Sequence, residues 1–156
     1  MSLLTPMLRS SPLTDWFSDA QRVQGMLDFE AALAQAQAAC GMVPPEAVGP
    51  IVAACRHEAI DFAALGEAAV GAGNLAIPLV KQLTAQVKAQ DPEAARYVHW
   101  GATSQDAIDT GLVLQLRGAL DAAETLLEQL LATLALQADR YRDTVMPGRT
   151  WMQHAL

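Results

Sequence analysis

A long run of regularly spaced leucines near the carboxyl end constrains the fold more than any other feature. From Thr110 to about Arg142, apolar residues recur every three or four positions, and two rows of them repeat every seven residues. The first row is Val113, Leu120, Leu127 and Leu134, and the second is Leu116, Ala123 and Leu130. A helix of about thirty residues is about 45 Å long, which exceeds the width of a domain of this size. The pattern therefore predicts one long helix whose apolar face needs partners along its length.

The remaining sequence favours short helices and an all-α fold. Hydrophobic residues make up 52% of the 156 residues but aromatic residues only 5%, whereas strands use β-branched and aromatic side chains. No segment shows the clean alternation of a strand. Five short helices are predicted. The first is capped by Ser18 and Gln21 and ends at Gly41, and the second has about ten residues and follows Pro44-Pro45. The third covers 62–70 and is capped by Asp61, the fourth has Pro78 in its first turn, and the fifth is short and begins at 91–93.

These short helices are too few to cover the long one. We therefore expect a short-helix N-terminal domain at residues 1–109, followed at 110–156 by the incomplete start of a helical bundle. Other chains, or sequence not present here, would complete that bundle.

Charge and cysteine content narrow the function class. The net charge of −7 argues against a nucleic-acid partner, for which a basic face is expected. No apolar run is long enough to span a membrane, and the first sixteen residues lack the apolar core of a secretory signal. Cys40 and Cys55 have no CxxC spacing, so we expect reduced thiols in the core. A soluble cytoplasmic protein follows, and we expect no metal site and no cofactor.

The polar stretch before the long helix is the first candidate site. Thr103 and Asp106 have the spacing of a capping box, and the start of a helix is a ready anion site. His99 precedes it on a loop that Gly101 lets turn. We therefore predict that residues 99–106 hold a substrate that bears a carboxylate. The alternative is a well-capped helix after a tight turn.

A second polar cluster lies at the end of the chain. A Pro-Gly turn at 147–148 precedes Arg149, Thr150, Trp151, Gln153 and His154. Because the chain stops within this cluster, without a cap or a closing segment, we expect it to be truncated.

Together these stretches resemble the fumarase/aspartase superfamily. The first signature is matched by His99-x-Gly-Ala-Thr-Ser-Gln-Asp-x-x-Asp-Thr110, and the second by Gly148-Arg-Thr-x-x-Gln153. The run Gly73-Asn-x-Ala-Ile-Pro-Leu-Val-Lys81, the Thr-Ser-Gln-Asp form of the first signature and Trp151 resemble the cycloisomerase branch of that superfamily. The resemblance covers about residues 16–156.

The resemblance implies an all-α homotetramer whose active sites form where signature regions of three subunits meet. The implied reaction is the lactonisation of a tricarboxylic muconate: a carboxylate oxygen adds to a conjugated double bond, and a proton is delivered to the neighbouring carbon. The serine that acts as base in the family belongs to a third signature, which this chain lacks. We therefore expect the chain alone to be inactive.

The family motifs also assign site residues. The implied catalytic residues are His99, Ser104 and Trp151. The implied substrate-binding residues are Arg22, Asn74, Lys81, Thr103, Ser104, Arg149, Thr150 and Gln153. For Arg22 and Lys81 the alternative is a solvated charge, and His57 and His154 are interpreted as structural.

Two departures favour a cycloisomerase. Adenylosuccinate lyases carry a histidine where this chain has Trp151, and usually another where it has Asn74. A lactonisation expels no amine and needs no acid for one. Trp151 could instead stack on the planar diene or exclude water. The alternatives are another lyase of the superfamily, or a non-catalytic fragment that only associates.

Overall fold

The computed structural model describes the backbone of residues 11–149 and 153–155 and the side chains of residues 11–145. Five α-helices form this part of the chain, as the composition predicts. They are α1 (Asp19–Ala39), α2 (Pro45–Ala54), α3 (Phe62–Ala72), α4 (Ala76–Gln90) and α5 (Ser104–Arg140). Short 3₁₀ turns at Thr14–Phe17, His57–Ala59 and Ala94–Tyr97 connect or precede them. The all-α class is confirmed.

Local signals set the helix ends. The Ser18 hydroxyl accepts from the N–H of Gln21 at 3.3 Å, and the Asp61 carboxylate accepts from the N–H of Ala64 at 3.0 Å. Each satisfies a backbone donor that a first turn leaves free. Gly73 ends α3 in the left-handed conformation, with φ of 75°, which glycine adopts without steric cost. The helix predicted at 91–93 is instead the 3₁₀ turn at Ala94–Tyr97.

The core lies around α1, which packs against α2 and against the first part of α5. Leu27, Leu83 and Val87 are among its fully buried side chains. The backbones of α1 and α5 approach closely, because a Cβ added to Gly25 would lie 2.8 Å from the carbonyl oxygen of Gly111. One expectation was wrong: Cys55 is buried, but Cys40 is exposed at the end of α1.

The contacts divide the chain into two units, residues 1–119 and 120–156. In the first unit α5 buries Ala107, Gly111, Gln115 and Ala119. From residue 120 to residue 140 no side chain of α5 is buried. The boundary predicted at residue 109 stays a prediction.

The second unit also contains two short strands that the sequence pattern did not predict. Strand β1 (Met146–Arg149) pairs antiparallel with β2 (Gln153–Ala155). Within the described ranges, no helix has the length and apolar content needed to cross a membrane.

Candidate active site

One face of α1 places three side chains in line. Arg22, Met26 and Glu30 follow one another at intervals of four residues, so they project from the same side of the helix. Arg22 and Met26 line a cleft, and Glu30 lies one turn further along at 2% exposure. This face of α1 therefore runs from the cleft to the buried carboxylate of Glu30.

The cleft combines an apolar wall with a few polar groups. Its volume is about 280 Å³, and its polar lining comes from Arg22, Asn74 and Gln115. The Asn74 side-chain oxygen accepts from the N–H of Ile77 at 3.1 Å, so its NH₂ group remains as the donor. Among the described residues the Arg22 guanidinium has no ion-pair partner. A guanidinium and an amide donor beside an apolar wall suit a ligand that is both anionic and unsaturated.

Ser104 does not line the cleft, but it precedes two residues that do. It is the first residue of α5, and Ile108 and Leu112, which line the cleft, follow at intervals of four. The three side chains therefore share one face of the helix. In the described part of the chain the Ser104 hydroxyl has no hydrogen-bond partner, so its donor is available to a ligand.

Thr103 has a different role in this arrangement. Its N–H and its hydroxyl both donate to Oδ2 of Asp106, at 2.8 and 2.9 Å. These two bonds are the main cause of the lowered pKa of Asp106. The pair forms the carboxylate half of the predicted capping box. A ligand would have to compete with Asp106 for the Thr103 hydroxyl, whereas that of Ser104 is free.

His99 is held in an uncommon backbone conformation. Its φ is +56°, and Gly101 two residues later has φ of +69°, which confirms the turn expected at that glycine. Residues other than glycine rarely adopt positive φ, and such strain persists where the surroundings enforce it. His99 Nδ1 lies 2.6 Å from Oε1 of Glu30, so the ring is fixed as well.

Glu30 is the site residue that sequence reasoning missed. Burial raises the pKa of its carboxyl, and the hydrogen bond and charge of His99 act in the opposite direction. A signal was present, because Glu30 interrupts the apolar stripe of Val23, Met26, Leu27 and Ala34. A carboxylate at such a position is almost never fully buried without a partner.

The other predicted residues are not all brought together. Lys81 is exposed on α4, and it does not line the cleft that holds Asn74. Arg149 and Gln153 lie in β1 and β2, whose side chains are outside the described part. Thr150 and Trp151 are also outside the described residues. Where side chains are described, no cluster of three or more histidine, cysteine or carboxylate groups is placed to hold a metal.

A family match assigns the class of the protein. The lyase family model matches residues 8–156, and the chain belongs to this family.

Several relatives of this chain share one name, and others carry different names, such as a nitrosuccinate lyase of Streptomyces davaonensis at 42% identity over 154 residues, covering 99% of this chain and 32% of that protein. The chain is 56% identical over 154 residues to a 3-carboxy-cis,cis-muconate cycloisomerase of Bradyrhizobium diazoefficiens, covering 99% of this chain and 34% of that protein. It is 61% identical over 146 residues to the enzyme of that name from Pseudomonas aeruginosa, covering 94% and 32%. The crystal structure of a 3-carboxy-cis,cis-muconate lactonizing enzyme from Pseudomonas putida superposes with a TM-score of 0.92 at 55% identity, covering 99% and 35%. The chain thus spans about a third of the length of these proteins.

Proposed function

We propose that the protein to which this chain belongs is a cycloisomerase that converts 3-carboxy-cis,cis-muconate to 4-carboxymuconolactone. The observation that carries the proposal is the cleft in which Arg22 and Asn74 offer donors beside an apolar wall. The identity to cycloisomerases over almost the whole chain supports the same conclusion.

The reaction forms one bond to oxygen and one to hydrogen. A carboxylate oxygen of the substrate adds to a conjugated carbon, and the electron pair of the double bond moves onto the adjacent carbon and its carboxylate. That carbon then takes a proton, which solvent ultimately replaces, and nothing is expelled. Fixed donors aimed at the enolate-like intermediate would supply much of the rate enhancement.

The residues of this chain divide these tasks. Arg22 and the NH₂ group of Asn74 bind substrate carboxylates, while Met26 and Ile108 pack against the diene. Ser104 donates a hydrogen bond from the head of α5, and Thr103 supports that helix start through Asp106. His99 faces the developing negative charge as a donor.

The residues beyond the cleft complete the proposal. Lys81, Arg149, Thr150 and Gln153 are further candidate contacts to the carboxylates, and Trp151 is a candidate to stack on the diene. Their roles rest on the family motifs alone.

Full activity requires more than one copy of the chain. The second half of α5 exposes an apolar surface of the kind that marks an interaction site, formed by Leu120, Leu126, Leu127, Leu130, Leu131, Leu134 and Leu136. We propose that the corresponding surfaces of other subunits cover it in a homotetramer, as the family resemblance implies. The free thiols of Cys40 and Cys55 fit a cytoplasmic location.

The test is a spectroscopic assay of the full-length protein. Loss of muconate absorbance with formation of the lactone, and no turnover of adenylosuccinate, is the expected result. Arg22→Gln should raise KM by about tenfold or more, because a charge-assisted bond to a carboxylate contributes roughly 1.5–3 kcal/mol. Arg56→Gln, which changes an exposed arginine outside the cleft, is the matched control. Turnover of adenylosuccinate without lactone formation would overturn the proposal in favour of another lyase.

A further inference from the structure

Gln115 is a polar residue of the cleft lining that has no task in the proposed function. It lies in the first half of α5, and its exposure is 3%. Its Nε2 donates to the carbonyl oxygen of Trp16 at 2.8 Å. Its Oε1 is buried and has no hydrogen-bond partner among the described residues. Because a buried acceptor without a donor is unfavourable, a donor that reaches Oε1 stabilises the protein.

The bond to Trp16 decides which end of the Gln115 amide is free. The amide has a donor end and an acceptor end, and the Trp16 carbonyl holds the donor end. The Trp16 ring lies against Gly118, where an added Cβ would clash with it, so Trp16 is itself held on α5. Oε1 therefore remains as the free acceptor of Gln115.

Arg22 lies at the same level of the helix pair as Gln115. Gly25 of α1 contacts Gly111 of α5. Trp16, which is earlier in the chain than α1, contacts Gln115, which is later in α5, so the two helices run antiparallel. Arg22 precedes Gly25 by three residues. Gln115 follows Gly111 by four, so both lie about one helical turn from the glycine contact, on the same side of it.

The Oε1 atom of Gln115 is the acceptor best placed for Arg22. A guanidinium carries more N–H donors than one carboxylate can accept. In the described lining of the cleft, the side-chain oxygen acceptors belong to Asn74 and Gln115, and that of Asn74 already accepts from Ile77. Asp19 lines a neighbouring cavity together with Arg22, but Asp19 is exposed, and exposed ion pairs contribute little.

We propose that Gln115 is a positioning residue, whose Oε1 accepts a hydrogen bond from the Arg22 guanidinium when Arg22 binds a substrate carboxylate. The inference rests on the proposed function, since it assigns the support of a binding group in that site. Oε1 has no partner in the described part of the chain, and a rotation of the Arg22 side chain brings the two groups together, as side chains commonly do on binding. The contact satisfies a buried acceptor and a donor that the carboxylate leaves free, and it fixes the orientation of the planar guanidinium.

The first test is a double-mutant cycle on KM for 3-carboxy-cis,cis-muconate in the full-length protein. Gln115→Met keeps the length of the side chain and removes both polar ends. It should raise KM about threefold to tenfold, the range to which one hydrogen bond corresponds. It should leave kcat nearly unchanged, because the contact supports binding and not the chemical step. In the Arg22→Gln background the same substitution should change KM by less than about twofold, because its partner is gone.

The second readout needs no turnover. Tricarballylate, a saturated tricarboxylate, offers carboxylates to Arg22 but has no double bond to which a carboxylate could add. Titration calorimetry of the wild type, both single variants and the double variant should show the same non-additivity in Kd as in KM. If Gln115→Met does not fold, Gln115→Asn takes its place, because it withdraws both amide ends by one methylene.

Gln37 is a matched control for the loss of a buried amide. Its exposure is 8%, its Nε2 donates to the carbonyl oxygen of Trp100 at 2.6 Å, and its Oε1 has no partner among the described residues. Unlike Gln115, it does not line the cleft. Gln37→Met should therefore lower the melting temperature as Gln115→Met does, while its effect on KM and Kd adds to that of Arg22→Gln.

The outcomes separate the inference from the proposed function. If lactone forms but the effects of Gln115→Met and Arg22→Gln add, as those of Gln37→Met do, the reaction stands and the inference is overturned. If the effects on tricarballylate binding are non-additive but no lactone forms, the contact stands and the proposed reaction fails. If Asp19→Asn rather than Gln115→Met is coupled to Arg22→Gln, the exposed carboxylate supports Arg22 and the inference is wrong. If neither ligand binds, both proposals fail.

Discussion

The two halves of α5 differ in how they pack: the first is partly buried and the second is exposed. Between Ser104 and Ala119 the helix buries Ala107, Gly111, Gln115 and Ala119, which lie four residues apart and are mostly small. Between residues 120 and 140 it buries nothing, and its leucines are 41–73% exposed. One continuous helix therefore changes from a narrow, closely packed stripe to a broad apolar surface.

The difference between the two halves shows how small residues and leucines pack in a helical protein. Small residues let the α5 backbone approach α1, so that Gly111 and Gly25 touch and the residues of the cleft are held at fixed separations. Leucines fill the wider space between helices of a bundle, and here that space has no occupant among the described residues. The first half lines the cleft together with α1, and the second half leaves an apolar face uncovered among the described residues.

Replacing leucines of the exposed half should have the largest effect. The triple variant Leu127→Gln, Leu131→Gln and Leu134→Gln should convert an associated chain to a monomer, because burying each leucine contributes roughly 1.5–3 kcal/mol. Light scattering across a concentration series measures the change, with Asp121→Asn on the same helix as control. A wild-type chain that is already monomeric at high concentration would contradict the assignment of this surface.

A leucine from the packed core should act on folding instead. Leu83 is fully buried at 0% exposure, so Leu83→Ala should lower the free energy of unfolding by about 2–5 kcal/mol. Leu127 is 64% exposed, and Leu127→Ala should change it by about 0.5 kcal/mol or less in dilute chain. Urea unfolding followed by circular dichroism measures both, and equal losses would erase the distinction between the packed core and the exposed half of α5.

Alanine in place of two different glycines should change the free energy of unfolding in opposite directions. Gly111→Ala places a methyl group 2.9 Å from the backbone nitrogen of Met26, and such overpacking lowers stability by about 1–3 kcal/mol. Gly66 in α3 has nothing within 4 Å of an added Cβ, so Gly66→Ala should raise stability by about 0.4–1 kcal/mol. The same unfolding assay tests the pair. A stabilised Gly111→Ala would show that the close approach of α1 and α5 is not needed.

The sequence predicts what depends on neighbours in the chain. Ser18 and Asp61 cap helices as their spacing predicts, and the period of the leucines predicts the long helix and its uncovered face. The contact of Glu30 with His99 spans 69 residues, and no local pattern reveals such a pair. The exposure of Cys40 likewise depends on which face of α1 the other helices cover.

The candidate site was also predicted only in part: its residues were identified, but not how their roles differ. The motif identified Thr103 and Ser104 together, because adjacent hydroxyls at a helix start look equivalent in sequence. Their difference arises from the side-chain rotamers, which give the Thr103 hydroxyl to Asp106. The cleft between Arg22 and Asn74 could be inferred only from the family motifs, since Arg22 lies on α1 and Asn74 lies in the loop between α3 and α4.

The smallest expected effect concerns the start of the packed half. Hydrogen bonds from Thr103 lower the pKa of Asp106, so its ionised form is favoured in the folded state. That stability is present above the ordinary pKa of an aspartate, about 3.9, and is lost as the pH falls through the lower value in the folded protein. Asp106→Asn should therefore destabilise the chain at pH 7 and approach wild-type stability in strong acid. Thr103→Val removes one of the two donors, so its loss of stability should depend on pH in the same way but more weakly. The free energy of unfolding of each protein, measured at pH 7 and at pH 2, tests this. If Asp106→Asn differs from wild type by the same amount at both pH values, the carboxylate does not stabilise the start of α5.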